Sequence, residues 1–136
     1  MALAFWVEAI PTYDLDVLIA LPPSRSIPIS LAPIYAWARD RGLGTESEHI
    51  IIGGVPVQFL PAHSELASEA IATAANLKYG SVDARVVRPE YLIALYLDGS
   101  AKTAQRRQRA AILRESGDVD EQRLQDLLHR FKLTFE

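Results

Sequence analysis

The stretch Thr12-Tyr13-Asp14-Leu15-Asp16-Val17-Leu18-Ile19-Ala20-Leu21 leaves the chain the fewest choices. Two carboxylates one residue apart stand at the head of an apolar run rich in Val, Leu and Ile, a pattern that predicts a buried strand. Side chains alternate along a strand, so Asp14 and Asp16 share one side while Leu15 and Val17 turn to the core. An isolated Asp-x-Asp usually does no more than keep an exposed strand end polar. The same geometry also suits Mg²⁺ or Mn²⁺ carrying a polyphosphate, because these cations take hard oxygens and complete their shell with water and phosphate.

Periodicity and turn chemistry set the remaining elements. Leu3, Trp6, Val7 and Ile10 fall on one face of a short helix over residues 1–10, which Pro11 ends. Residues 22–28 are a Pro- and Ser-rich loop, and Ser30 caps a helix whose buried face is Leu31, Ile34, Tyr35 and Ala38, with Trp37 at its edge and Gly42 as its left-handed stop. Residues 50–60 read as two strands joined at Gly53-Gly54. The run after those glycines is β-branched and Pro-containing, so they form a hairpin turn and not a phosphate loop at a helix start. Ser64 opens a helix burying Leu66, Ala70, Ile71 and Ala74, and after the turn at residues 79–81 comes a strand over residues 82–87 on which Asp83 and Arg85 are expected to pair.

Pro89 and Glu90 begin a helix that is apolar on every side, and that makes it central. Residues 101–114 hold five basic residues and no acid, with Lys102, Arg106 and Arg109 at helical spacing; this is either a solvated face or a contact for triphosphate, RNA or an acidic partner. Asp118 with Glu121 three residues on starts a last helix with Leu124, Leu127, Leu128 and Phe131 buried, and residues 134–136 fray. Glu46 and Glu48 read as solvated loop charges, and His49 and His63 fall in no metal-ligand spacing.

Composition narrows the function classes. With 136 residues, 49% of them hydrophobic, the chain is expected to be a single domain, residues 1–136, with one core. A net charge of −3 argues against a general polyanion binder, and zero cysteines exclude disulfides and thiolate chemistry. No apolar run reaches the ~20 residues needed to span a bilayer, and residues 1–10 lack a basic signal-peptide start, so a cytoplasmic protein without a membrane partner is expected.

The Asp14-Leu15-Asp16-Val17 segment resembles the Asp-hydrophobic-Asp-hydrophobic motif of the DNA polymerase beta-like nucleotidyltransferase superfamily, and most resembles small bacterial domains related to abortive-infection toxin nucleotidyltransferases. Residues 55–60 and the run Arg88-Pro89-Glu90-Tyr91-Leu92-Ile93-Ala94-Leu95 are the other anchors of a likeness reaching from residue 1 to about residue 133. The resemblance implies an α/β fold: a small mixed sheet with an antiparallel hairpin, flanking helices and a C-terminal helical cluster. It implies Asp14 and Asp16 as catalytic metal ligands for Mg²⁺ or Mn²⁺, and Thr12, Lys102 and Arg106 as nucleotide-binding residues.

The implied reaction passes a nucleoside monophosphate from a nucleoside triphosphate to a hydroxyl on a protein, RNA or small-molecule acceptor. Four departures accompany it. Gln58 stands where the superfamily has a third carboxylate, Tyr96 where the relatives have Lys, and Thr103 where they have Asp. The Gly-Gly or Gly-Ser turn that precedes the paired acids would fall at or before Met1, the only methionine, which suggests either an internal Met read as the start or a chain truncated before that turn. These departures keep open a catalytically degenerate subunit that binds nucleotide or a cognate partner, as in a toxin-antitoxin module, or that forms a homodimer. An RNA-binding module built on the basic helix is a third reading.

Overall fold

The computed structural model describes residues 6, 15–20, 31–99, 103–116 and 118–136. Their order is β1 (Leu15–Ile19), α1 (Ala32–Asp40), β2 (Thr45–Glu46), β3 (His49–Ile52), β4 (Val55–Pro61), α2 (Glu65–Ala72), β5 (Ala75–Tyr79), β6 (Val82–Val86), α3 (Pro89–Leu97), α4 (Ala104–Glu115) and α5 (Glu121–Phe131). Among the described residues this is an α/β fold of five helices, a mixed four-stranded sheet, a separate hairpin and C-terminal helices packed together. No helix among them is long and apolar enough to cross a membrane.

The helix expected over residues 1–10 lies outside the described residues except for Trp6, which is helical and donates its indole N–H to the Val87 carbonyl at 3.0 Å. The loop at 22–28 and the Ser30 cap also lie outside them. The cap of α1 is Leu31, with no side-chain hydrogen bond and a proline in the first turn. Proline fixes φ near its helical value, which substitutes in part for the missing cap.

The main sheet runs β1-β4-β3-β2, with β1 parallel to β4 and the other pairs antiparallel. Gly53 and Gly54 have φ of +58° and +81° and connect Ile52 to its partner Val55, as a tight hairpin of two left-handed residues requires. A short strand that the sequence did not suggest, β2, is joined to β3 through Ser47 and Glu48, so Glu46 sits opposite His49 at the sheet edge and not in a loop.

The hairpin β5–β6 is the larger correction. The Ala-rich run after Ser64 reads as one long helix, but α2 stops at Thr73, whose hydroxyl donates to the Glu69 carbonyl at 2.8 Å. Residues 75–79 then pair with β6 from Ala75↔Val86 to Tyr79↔Val82, tertiary pairing prevailing over helix propensity. Asp83 and Arg85 do not pair with each other. Asp83 meets Lys78 at 2.8 Å across the hairpin, and Arg85 donates to the Ile71 carbonyl at 2.9 Å, closing the end of α2.

The core is mostly helical. Ile93 and Leu97 of α3, Ala110 and Leu113 of α4 and Leu124 of α5 form one buried cluster. Leu66, Ala70, Tyr91, Ala94 and Leu127 form a second that brings in α2. α3 belongs to both, which is why its sequence is apolar on all sides. The cap of α5 is Asp120, two residues later than expected: its carboxylate accepts from the Arg123 N–H, and its own N–H donates at 2.7 Å to the buried Glu90. The chain end does not fray, because Leu133 and Phe135 pack on the helical core and Arg114 stacks over the Phe135 ring at 4.9 Å.

Candidate functional site

The parallel register of β1 and β4 builds the first half of the site. Leu15 pairs with Val57 and Asp16 with Gln58, so alternation puts Asp16 and Gln58 side by side on one face while Val57 is buried on the other. Asp16 is exposed and Gln58 half-buried. Gln58, expected from the sequence at a carboxylate position, is therefore the direct neighbour of Asp16.

The second half comes from the end of α3 and the start of α4. Thr103 caps α4, its hydroxyl accepting from the Arg106 N–H at 3.2 Å, a role that accounts for a hydroxyl at this position. One and two turns on, Arg106 and Arg109 face back onto α3, both half-buried. Arg106 donates to the Leu95 carbonyl at 2.6 Å, filling one of the acceptors left open in the last turn of α3. Arg109 is near enough to the phenol of the next residue, Tyr96, to lower its pKa.

Tyr96 feels charge from both halves. Burial pushes its phenol above the ordinary tyrosine range, Arg109 and then Arg106 draw it back, and the negative charge of Asp16 pushes it up again. One ring thus lies within electrostatic reach of the β1 acid and of both guanidinium groups.

Of the residues expected from the sequence, Asp16 is paired with Gln58, Asp16 and Arg106 both act electrostatically on Tyr96, and Arg106 is engaged by a backbone carbonyl. Thr12, Asp14 and Lys102 lie outside the described residues. The basic helix presents less free charge than its sequence suggests: Arg106 and Arg109 turn inward, and Arg114 pairs with Glu121 and covers Phe135. Arg107 is its exposed arginine. Arg109 and Tyr96 were not assigned to the site from sequence, although the i, i+3 spacing of Arg106 and Arg109 carried the signal. His49 faces Glu46 across β2–β3, and the exposed His63 ring lies 2.9 Å from the Pro61 carbonyl through Nδ1, so neither joins the constellation.

Among the described residues no three His, Cys, Asp or Glu side chains gather into a metal cage. The Asp16 carboxylate and the Gln58 amide oxygen are both hard donors, and Mg²⁺ is commonly held by one or two carboxylates with phosphate and water completing an octahedron. Among the described residues, these two donors could contribute to a phosphate-borne Mg²⁺. Two surface grooves of about 820 and 800 Å³, one bordered by Glu65 and Phe131 and the other by Tyr35 and Arg39, include none of these residues. No protein-family model matches the chain, and no curated protein matches it.

Proposed function

We propose that the chain is a nucleotidyltransferase-type protein that binds a divalent-metal nucleoside triphosphate at the Asp16–Gln58 end of the sheet and passes its nucleoside monophosphate to a hydroxyl acceptor, the hydroxyl oxygen bonding to the α-phosphorus as pyrophosphate leaves. The observation that carries the reading is the pairing of the exposed strand acid Asp16 with Gln58, with Asp16, Arg109 and Arg106 all acting electrostatically on the Tyr96 phenol. An acid beside two cations is the charge pattern that a metal-bridged polyphosphate needs, since the metal answers the acid and the phosphates answer the cations. Asp16, together with Asp14, would hold Mg²⁺, which when bound supplies Lewis-acid polarisation of the phosphates. Gln58 offers an amide oxygen as a further donor. Being neutral, it cannot take the proton of an attacking hydroxyl, so that proton passes to an acid or to solvent.

Gln58 also favours a second reading, a subunit that binds metal-nucleotide without turnover and serves a protein partner. One series of measurements separates the two. The chain is titrated with Mg²⁺ or Mn²⁺ and each nucleoside triphosphate while its thermal unfolding is followed, in wild type and in Asp16→Asn. A ligand at 100 times its Kd stabilises the folded state by ~2.7 kcal/mol, a shift of several degrees in a domain of this size. A metal-dependent shift that Asp16→Asn loses is the expected result, and no shift with any nucleotide overturns both readings. Transfer of α-labelled nucleotide to protein, RNA or a small alcohol then marks the enzyme, and binding without transfer marks the subunit.

A further inference from the structure

The four-stranded sheet ends at β2, and a helix stands beside that end. In the β2–β3 hairpin the Ile51 N–H donates to the Gly44 carbonyl at 2.9 Å, so these two residues form a hydrogen-bonded pair. Alternation along an antiparallel ladder then makes Thr45 and Ile50 a non-hydrogen-bonded pair, and the Thr45 N–H and C=O point away from β3. β2 is last in the sheet order, so among the described residues no strand pairs with that outer side.

Alongside it runs a groove of about 800 Å³. One wall is a single face of α1, with Ala32, Tyr35, Ala36 and Arg39 at i, i+3, i+4 and i+7, and the other includes Gly44 and Thr45. The small alanines leave room between the Tyr35 ring and the Arg39 guanidinium. Both walls are pinned: the Tyr35 hydroxyl donates to the Glu48 carbonyl at 3.2 Å, and the Leu43 N–H donates to the Ala38 carbonyl at 3.0 Å. A preformed groove spares an occupant the cost of ordering it. Charge is divided along its length. Arg39 is the charged side chain among the described lining residues, and its contact with Asp40, at 3.9 Å between side chains 79% and 72% exposed, is screened by water. One turn back along α1, where Tyr35 meets Glu48, the exposed Glu46 and Glu48 carry the opposite sign.

We propose that the groove between α1 and the outer edge of β2 docks an extended peptide segment of a partner protein. The segment adds to the sheet through the Thr45 backbone, sets a carboxylate against Arg39, and presents a neutral or basic residue to the Glu46–Glu48 turn. The backbone bonds hold it as a strand, the charges fix its direction, and the space between Tyr35 and Arg39 takes an apolar side chain. A two-residue edge guards against indiscriminate strand pairing, and the helix beside it restricts access to a segment that fits. β1, which bears Asp16, is the opposite edge of the same sheet, so this site does not depend on the metal-nucleotide reading.

The test screens the full chain against a phage-displayed library of random short peptides. The selected sequences are then measured as fluorescein-labelled peptides by anisotropy, in wild type, Thr45→Pro, Arg39→Glu and Arg41→Gln. Thr45→Pro removes the outward N–H and no bond to β3, a change that an edge strand tolerates. It should weaken binding about tenfold or more. Arg39→Glu should weaken peptides that carry the carboxylate and favour those in which lysine replaces it. Arg41 stacks over the Trp37 ring at 4.7 Å, outside the groove lining, so Arg41→Gln should bind as wild type does. Peptides N-methylated at alternate amides should lose affinity in one phase of the alternation and keep it in the other.

A library that yields no binder overturns the proposal, as do selected peptides without a shared carboxylate position or wild-type affinity in Thr45→Pro. Equal losses in Arg39→Glu and Arg41→Gln would mean diffuse attraction to α1 and overturn it too. A concentration-dependent dimer in sedimentation that Thr45→Pro abolishes replaces the partner peptide with a second copy of this chain. Unliganded melting of each variant shows whether it has folded. If Thr45→Pro has not, the highly exposed Arg39 decides the question: no reversal of charge preference in Arg39→Glu rejects the site.

Discussion

The helical part of the molecule and the four-stranded sheet divide the work unequally. Ile93, Leu97, Ala110, Leu113 and Leu124 are between 0% and 3% exposed, and they lock three helices together. In the sheet only Ile50 and Val57 are buried among the described residues, and β1, the strand that bears Asp16, has no buried residue at all. Stability is concentrated where there is little chemistry, and the candidate chemistry lies on a strand with no buried residue. The end of α3 is the junction, since the same helix supplies Ile93 to the core and Tyr96 to the site.

The strongest challenge to that division is Leu113→Ala. Its side chain is wholly buried between helices, so truncation removes transfer energy and leaves a cavity, with an expected loss of ~3 kcal/mol in urea unfolding. The same division predicts that amides of α3, α4 and α5 exchange hydrogen only through global opening while those of β1 exchange through smaller local openings. Slower exchange in β1 than in α3 would reverse the comparison.

A smaller effect is expected from the polar clamp that ties α2, α3 and α5. The Tyr91 hydroxyl donates to Glu69 at 2.6 Å, and Arg130 grips both Glu69 oxygens at 2.7 and 3.1 Å while its Nε meets Asp126 at 2.9 Å. Arg130 first, and then Tyr91, holds the Glu69 carboxyl below the usual carboxylate range. A carboxylate whose folded pKa is depressed contributes stability that is fully present above the unfolded value and disappears as pH falls through the folded one. Unfolding free energy should therefore fall as pH drops below ~4.5 more steeply in wild type than in Glu69→Gln, which costs about 1 kcal/mol at neutral pH because the clamp is partly exposed to solvent. Equal slopes for the two proteins would mean that the clamp is not formed in solution.

Within the sheet, Gly54→Ala should cost ~1 kcal/mol, because an L side chain at φ +81° is strained even though the added Cβ meets nothing within 4 Å. A cost near zero in urea unfolding would show that the β3–β4 turn relaxes to another form.

The sequence disclosed these parts unevenly, for physical reasons. Strong local signals were readable: Gly53-Gly54 for the hairpin, Ser64 for the α2 cap, Pro89 and an all-apolar run for the central helix. β5 was not readable, because Ala75, Leu77 and Lys78 suit a helix and only pairing with β6 makes them a strand. Asp118 competes with Asp120 for the cap because both fit the pattern, and the deciding contact is with Glu90, thirty positions earlier in the chain. At the site, Asp16 stood out as part of a motif, and its neighbour Gln58 was picked out by resemblance. The inward turn of Arg106 and Arg109 depends on where α4 meets α3, and a charge count cannot supply that.

The smallest expected effect concerns the junction itself. Asp16 is exposed, so Asp16→Asn should change unfolding free energy by less than about 1 kcal/mol. It should nonetheless alter a residue on another element. The Asp16 charge is one of the influences that raise the Tyr96 phenol, so removing it lowers the Tyr96 pKa. Burial is the largest of those influences and is untouched, so the phenol should remain above the ordinary tyrosine value. Ring-labelled tyrosine followed by NMR through alkaline pH, with Tyr96→Phe to assign the signal, reads the shift directly. A downward displacement with unchanged stability would place the β1 acid beside the α3–α4 clasp in solution while showing that the fold does not depend on it. An identical titration in both proteins would separate Asp16 from Tyr96 and dissolve the constellation on which the functional reading stands.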